Sequence, residues 1–230
     1  MEAIAQNYKE SSEKSADRLK FSQILSPGPL GPKSDEMTEL KPVPAATVVL
    51  VREADSKTEI EVLLLLRNSS LAFHGGHWVF PGGRIDAADF SEDGAGLEYP
   101  AALRAAVRET KEEAGIDIDE AQLIHTAHWT TPPRLPRRFS TWFFLCPLLE
   151  PVSVEVDNAE ILQYRWISPQ AALLESEAET LILPRPTATT LRNIADHRNL
   201  DELLQATSKA EIHVFPENSA YYRPQEMGCG

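Results

Sequence analysis

Residues 100–115, PAALRAAVRETKEEAG, carry the strongest structural signal in the chain. Ala, Leu, Arg, Lys and Glu all favour helices, and glycine commonly follows the last helical residue, so the stretch predicts a helix that ends at Ala114. When it is wound at roughly 100° per residue, Glu109, Glu112 and Glu113 fall within one sector. We therefore predict a helix with an acidic face.

This acidic face needs an explanation, because like charges three or four positions apart destabilise an isolated helix by about 0.2–0.5 kcal/mol per pair. Hard divalent cations such as Mg²⁺ and Mn²⁺ prefer carboxylate oxygens, and they commonly bind together with substrate phosphates. The helix alone leaves two interpretations open. The glutamates form a metal-binding face, or they form a solvated face that pairs with Lys111 and Arg108.

Two apolar runs precede the helix and are separated by a polar turn. They read AATVVLVR over 45–52 and IEVLLLLR over 60–67, and this composition predicts two buried strands of one hairpin. Residues 68–90 contain two Gly-Gly pairs and a Pro. Because these residues favour turns, we predict a loop with one short strand at 78–80.

The rest of the chain completes the predicted architecture. We predict strands at 121–130, 139–149 and 161–168, and helices at 171–178 and 187–206. Strands on both sides of one central helix predict an α/β fold of the α/β/α sandwich type. We expect three parts: a flexible N-terminal arm (1–40), one domain (41–180), and a C-terminal helical extension with a tail (181–230).

Composition excludes several classes of function. The chain has 230 residues, with 35 acidic and 22 basic residues and a formal net charge of -13, which argues against coating nucleic acid. No apolar stretch approaches the roughly 18–20 residues of a membrane-spanning helix. The first residues do not resemble a secretory signal, and two cysteines are too few for a disulfide framework, so we expect a cytoplasmic protein.

The segment 83–116 resembles the signature of the Nudix hydrolase family, G-x5-E-x7-R-E-U-x-E-E-x-G-U, in which U is aliphatic. Its second half is matched here by Arg108, Glu109, Thr110 in an aliphatic slot, Glu112, Glu113, Gly115 and Ile116. The Pro-Gly-Gly turn at 81–83 matches its opening. The resemblance implies a Nudix-type α/β/α sandwich with a mixed sheet. It also implies metal-dependent hydrolysis of the diphosphate bond in nucleoside diphosphate-linked compounds.

Carried over residue by residue, the resemblance implies a metal site and a catalytic apparatus. Mg²⁺ or Mn²⁺ is expected on Glu109 and Glu113, with Glu112 as a supporting ligand and a backbone carbonyl offered at Gly83. Arg108 is expected to orient Glu109.

A separate general base should be a carboxylate outside the helix. The resemblance favours Glu160, with Asp157 and Glu155 as rivals.

One departure from the signature concerns its first glutamate. The position eight before Arg108 is Pro100, so this acid is displaced to Glu98, replaced by Asp86 or Asp89, or absent. A G-G-x-x-D-x-x-D opening of this kind is similar to the family's coenzyme A diphosphatase-like subgroup, which implies coenzyme A-like substrates. The alternatives are ADP-ribose, NADH or nucleotide-sugar pyrophosphatase activity, and a nucleotide-sensing domain without catalysis.

Further candidates for substrate binding are arginines and aromatic residues. Because guanidinium groups pair bidentately with phosphate, Arg134, Arg137 and Arg138 in one proline-rich loop form a candidate clamp, with a solvated basic loop as the alternative. Arg67 ends a predicted strand and is a candidate for the cleft. Phe80 is a candidate for stacking on adenine, as are Trp78, Trp129 and Phe139, although aromatic residues in strands are also common in cores.

The expected partners follow from these assignments. We expect a small-molecule diphosphate as substrate, neither nucleic acid nor membrane as a partner, and we leave a homodimer open. A zinc site at the pair His125 and His128 is disfavoured, because this spacing in a strand predicts side chains on opposite faces.

Overall fold

The two apolar runs form an antiparallel hairpin, as the sequence predicts. The computed structural model describes residues 40–54, 59–71, 74–90 and 96–229. Strand β1 is Val43–Glu53 and strand β2 is Ile60–Arg67. Along β1, Val48 and Leu50 pack into one core cluster while Val49 and Val51 pack into another. The hairpin is therefore buried on both faces, which explains its continuous apolar sequence.

The sheet continues from this hairpin and is mixed. Strands β1 and β6 pair in parallel, as do β5 and β8, and the other pairs are antiparallel. The order along the sheet is β3-β2-β1-β6-β5-β8, with β4 paired to β1 and β7 paired to β2. The remaining strands are β3 Trp78–Val79, β4 Gly82–Arg84, β5 Ile124–Thr130, β6 Phe139–Pro147, β7 Ile161–Ile167 and β8 His213–Phe215.

Helices cover both faces of the sheet, so the predicted α/β/α sandwich is confirmed. Helix α1, Glu98–Ala114, presses a stripe of alanines against one face and ends at Gly115, which adopts φ 71°. Small side chains allow the helix backbone to approach the sheet closely. The opposite face carries α2 Pro169–Glu177, α3 Arg185–Ala195 and α4 Leu200–Thr207.

Two parts of the C-terminal region differ from the sequence prediction. The single helix predicted over 187–206 is wrong, because α3 ends at Ala195 and Asn199 starts α4 by accepting a hydrogen bond from the Glu202 N–H at 2.9 Å. The tail also contains two elements that the sequence pattern does not predict. It contributes β8 to the sheet and ends in a short helix, α5, Pro224–Met227.

The predicted N-terminal arm (1–40) lies almost wholly outside the described residues. Within the described ranges, every helix falls short of the length and apolar content needed to cross a bilayer.

Candidate active site

The acidic face of α1 points at residues 81–83, a bend at Pro81 followed by the first two residues of β4, which we call the glycine turn. The Gly82 N–H donates a hydrogen bond to Glu113 Oε2 at 2.9 Å. A Cβ atom built on Gly83 would lie 2.2 Å from Glu109 Oε1, so this carboxylate rests directly on the glycine backbone. Gly82 has a φ of 154°, and its Cβ would lie 2.3 Å from the Ala46 carbonyl oxygen. The double glycine therefore allows the turn and both carboxylates to meet.

Both carboxyl groups are buried more deeply than surface glutamates. The Glu113 residue is only 7% exposed, and burial raises its pKa to about 8, with the nearby Glu109 and Glu160 carboxylates adding to the shift. Burial also raises the pKa of Glu109, although Arg108 opposes that shift. Burial thus opposes the ionised form of both groups, and a divalent cation bound there would favour that form by supplying positive charge.

The acidic face does not form a closed cage of metal ligands. In the described ranges, no three His, Cys, Asp or Glu side chains already converge in a metal-binding arrangement. The third acid of the face, Glu112, is largely exposed and accepts a hydrogen bond from Arg108 at 3.1 Å. Because Mg²⁺ usually retains several waters and binds substrate phosphates as well, two carboxylates and a nearby carbonyl still fit such an ion.

Arg108 connects the acidic face to the preceding loop. It donates to Glu109 Oε1 at 2.8 Å and, through two nitrogens, to both Asp89 oxygens at 2.9 and 3.1 Å. Burial alone would raise the pKa of Asp89, but the hydrogen bonds from Arg108 and the Asp86 N–H outweigh it and lower the pKa. This fork holds the guanidinium in one orientation against Glu109.

The contacts distinguish the three candidates for the displaced first acid. Asp89 pairs closely with Arg108, whereas the nearest Asp86 oxygen is 4.0 Å from that guanidinium. Glu98 instead accepts a hydrogen bond from Trp142 Nε1 at 2.9 Å. Asp89 is also the sixth residue after Gly83, the spacing that G-x5-E gives its first acid. The spacing in the sequence could therefore have identified Asp89. The departure from the signature is the longer distance between Asp89 and Arg108.

Arg67 and Glu160 meet at the other side of Glu113. Arg67 donates to Glu113 Oε1 at 3.3 Å and to Glu160 Oε2 at 3.4 Å. The turn before β7 holds Glu160, because Asp157 accepts its N–H at 3.1 Å and the Asn68 N–H donates to its carbonyl at 2.7 Å. The structure thus brings Glu160 and Arg67 together with the acidic face.

Two of the substrate-binding predictions are wrong. Arg138 is buried, and its guanidinium donates to the carbonyl oxygens of Thr131 at 3.0 Å and Leu40 at 2.5 Å. It therefore fixes the loop instead of facing a ligand. Phe80 is 3% exposed and packs within the core on the α2 side of the sheet. The other two arginines of the loop, Arg134 and Arg137, are exposed.

A second group of side chains, made of histidine and aromatic residues, lies away from the glycine turn, and we call it the histidine cluster. Its members are Tyr99, His125, His128, Trp142 and Tyr222. Both histidine rings lie 5.0–5.1 Å from the Trp142 ring, so the expectation of opposite faces is wrong. The register of β5 against β6 shifts between His125 and Ala127, which turns both rings to one side.

Several known proteins resemble part of this chain. A peroxisomal coenzyme A diphosphatase of Caenorhabditis elegans is 32% identical over 91 residues, which cover 40% of this chain and 35% of the relative. An acyl-coenzyme A diphosphatase of Homo sapiens is 39% identical over 119 residues, which cover 43% of this chain and 32% of the relative. The chain spans 30% to 64% of the lengths of these and three further curated relatives.

A solved structure and a family model each match more than half of the chain. The NUDIX hydrolase of Alicyclobacillus acidocaldarius is 25% identical, has a TM-score of 0.62, and covers 72% of this chain and 96% of its own. The NUDIX domain family matches residues 41–184, more than half of the chain. The chain therefore belongs to the NUDIX domain family.

Proposed function

We propose that this chain is a Mg²⁺- or Mn²⁺-dependent hydrolase that cleaves the diphosphate bond of nucleoside diphosphate-linked compounds. The observation that carries the proposal is the meeting of Glu109 and Glu113 at the Gly82–Gly83 turn. These two carboxylates would hold the cation, with a backbone carbonyl at Gly83 and with Glu112 as a supporting ligand. Family membership supports the same reaction class.

The residues of the site suit the hydrolysis of a diphosphate. When bound, the divalent cation would screen the phosphate charge and lower the pKa of a bound water. Arg108 keeps Glu109 oriented, because its other nitrogens are held by Asp89. Glu160 is the proposed general base, since its carboxylate is more exposed than those of Glu109 and Glu113 and lies on a turn fixed by Asp157.

Coenzyme A-like molecules are the proposed substrates. The relative from Homo sapiens is named as an acyl-coenzyme A diphosphatase, and the opening Gly82–Asp89 carries the spacing associated with that subgroup. The exposed Arg134 and Arg137 are the proposed clamp for a further phosphate. ADP-ribose, NADH and nucleotide sugars are the alternative substrates, and ligand binding without turnover is the alternative function.

The proposal is tested by a hydrolysis assay over a panel of diphosphate compounds. Purified protein is incubated with coenzyme A, an acyl-coenzyme A, ADP-ribose, NADH and a nucleotide sugar, with Mg²⁺, Mn²⁺ or excess EDTA. We expect coenzyme A compounds to give two phosphate-containing products in the presence of Mg²⁺ or Mn²⁺ and none with excess EDTA. Glu109→Gln serves as the inactive control. Binding of a compound without any product would support the sensing alternative and contradict this proposal.

The clamp has its own test in Arg137→Ala. We expect KM for coenzyme A to rise by about threefold to tenfold, the equivalent of a lost exposed charged contact of about 1 kcal/mol. KM for ADP-ribose should change less, because that compound lacks the 3′-phosphate. The matched control is Arg192→Ala, which removes an exposed arginine on α3. An equal rise in KM for both substrates would contradict the proposed phosphate clamp.

A further inference from the structure

Arg67 occupies an unusual place between two carboxylates from different parts of the chain. Glu113 projects from α1, and Glu160 projects from the turn before β7, yet both lie within 3.4 Å of the same guanidinium. The Arg67 side chain is only 18% exposed. Its positive charge therefore lies next to Oε1 of Glu113, whereas the Gly82 N–H contacts Oε2.

The geometry of these contacts is loose. Charge-assisted hydrogen bonds between guanidinium and carboxylate are usually about 2.7–2.9 Å long. Here both distances exceed 3.2 Å. Within the described part of the chain, the buried Nε of Arg67 also has no hydrogen-bond partner. The guanidinium thus spans two acids without pairing ideally with either, and such an arrangement is easily displaced.

The backbone of Arg67 is fixed, in contrast to its side chain. Its N–H donates to the His77 carbonyl at 3.0 Å, and its own carbonyl accepts the Gly76 N–H at 2.9 Å. The register of β2 against β7 shifts between Leu66 and Arg67, which marks the end of regular pairing. Any rearrangement at this position therefore takes place in the side chain.

From these contacts we propose that Arg67, which also pairs with Glu160, competes with the divalent cation for Glu113 and so raises the cation concentration that the site needs. This inference rests on the proposed function. Arg67 is then a positioning residue that holds the two acids in place before a cation binds. A cation that displaces it frees a guanidinium, a group that pairs bidentately with phosphate.

The experiment measures Mn²⁺ binding without substrate, by calorimetry and by the electron paramagnetic resonance of free Mn²⁺. We expect Arg67→Gln to bind Mn²⁺ about tenfold more tightly than the wild type, because a positive charge has been removed close to the ion. Arg67→Lys should fall in between, since a single ammonium cannot span both acids as the guanidinium does. It also serves as the second test if the glutamine variant fails to fold.

A matched control separates local competition from net charge. Arg165→Gln removes an arginine that pairs with Glu175 at 2.6 Å in the same layer of the protein, and it should leave Mn²⁺ affinity within twofold of the wild type, about the scatter expected for a screened charge. If the wild type binds Mn²⁺ and both Arg67 variants bind it with equal or weaker affinity, this inference alone is overturned. Failure of every variant, wild type included, to bind Mn²⁺ would overturn the proposed function together with it.

Discussion

The glycine-turn site and the histidine cluster both bury titratable groups, but they surround those groups with different partners. At the turn, Glu109 and Glu113 lie against backbone and arginines, and burial raises the pKa of both. In the cluster, burial lowers the pKa of His125 to about 4 and that of His128 to about 3. In both places burial therefore favours the neutral form, but the histidines lie among aromatic side chains, whereas the glutamates lie within reach of Arg108 and Arg67.

The contrast separates a region suited to chemistry from a region suited to stability. A neutral imidazole packed on Trp142 and Tyr222 needs no ligand, and its burial contributes to the core. Carboxyl groups whose pKa is raised by folding destabilise the fold at neutral pH unless positive charge stabilises their ionised form, which is consistent with the proposed cation site. Each prediction below changes one of the two regions and should leave the other unaffected.

The largest effect is expected for Glu113→Gln. The amide oxygen can still accept the Gly82 N–H, but it offers a cation no charge, so kcat should fall about a thousandfold, the equivalent of about 4 kcal/mol. The free energy of unfolding at pH 7 should stay equal or rise, because folding raises the pKa of Glu113 and so disfavours its ionised form. Steady-state kinetics at saturating Mg²⁺ and urea unfolding check this, with Glu175→Gln as the control. Wild-type turnover in Glu113→Gln would refute the metal assignment.

The next largest effect is expected for Gly83→Ala. The added methyl group would displace the end of the Glu109 side chain by about 1 Å, and a misplacement of that size can lower activity by about 100-fold. The displaced atoms belong to a flexible side chain, so thermal unfolding should change little. Gly82→Ala is the contrasting variant, because its methyl would strike the Ala46 backbone and unfold the region. Full activity in Gly83→Ala would show that Glu109 need not touch the turn.

A smaller effect separates the candidates for the first acid. Asp89→Asn should lower kcat by about 10- to 100-fold, because Arg108 loses the charged partner that orients it toward Glu109. Glu98→Gln should leave kcat unchanged within error, since Glu98 contacts Trp142 in the histidine cluster. Both are read from kcat at saturating Mg²⁺. The reverse order of effects would transfer the role to Glu98.

The smallest effect on turnover is expected for the histidine cluster, where a substitution should change stability instead. The unfolded chain binds a proton at His128 below about pH 6.5 while the folded chain does not, so stability present above that pH is lost as the pH falls toward about 3. Each such histidine contributes a slope of up to about 1.4 kcal/mol per pH unit. His128→Gln should flatten the dependence measured by urea unfolding between about pH 7 and 4.5. The exposed His213→Gln should keep the wild-type slope, and an unchanged slope in His128→Gln would contradict the assignment.

Much of the fold could be predicted because its signals are local. The hairpin of β1 and β2 follows from continuous apolar runs, and α1 follows from helix-forming residues and the glycine after it. The acidic face needed only the helical period. Asp89 could also have been found, because its distance from Gly83 is a count along the chain.

The errors arose where contacts between distant residues decide the outcome. Phe80 and Arg138 have residue types suited to ligand binding, but nothing in their neighbours along the chain reveals that both are buried. The shift of register that places His125 and His128 together depends on the pairing of β5 with β6. Similarly, β8 has only three residues, and its pairing with β5 gives no periodic pattern.

The C-terminal residues bear on how the protein should be produced for experiment. The family likeness stops at residue 184, yet Leu191, Ile194, Leu200 and Leu203 beyond it are buried against the sheet, and β8 covers the edge of β5. A recombinant fragment cut at that boundary would leave apolar side chains in water and an open strand edge, which favours aggregation. Poor expression of such a fragment would therefore reflect the cut and carry no information about catalysis.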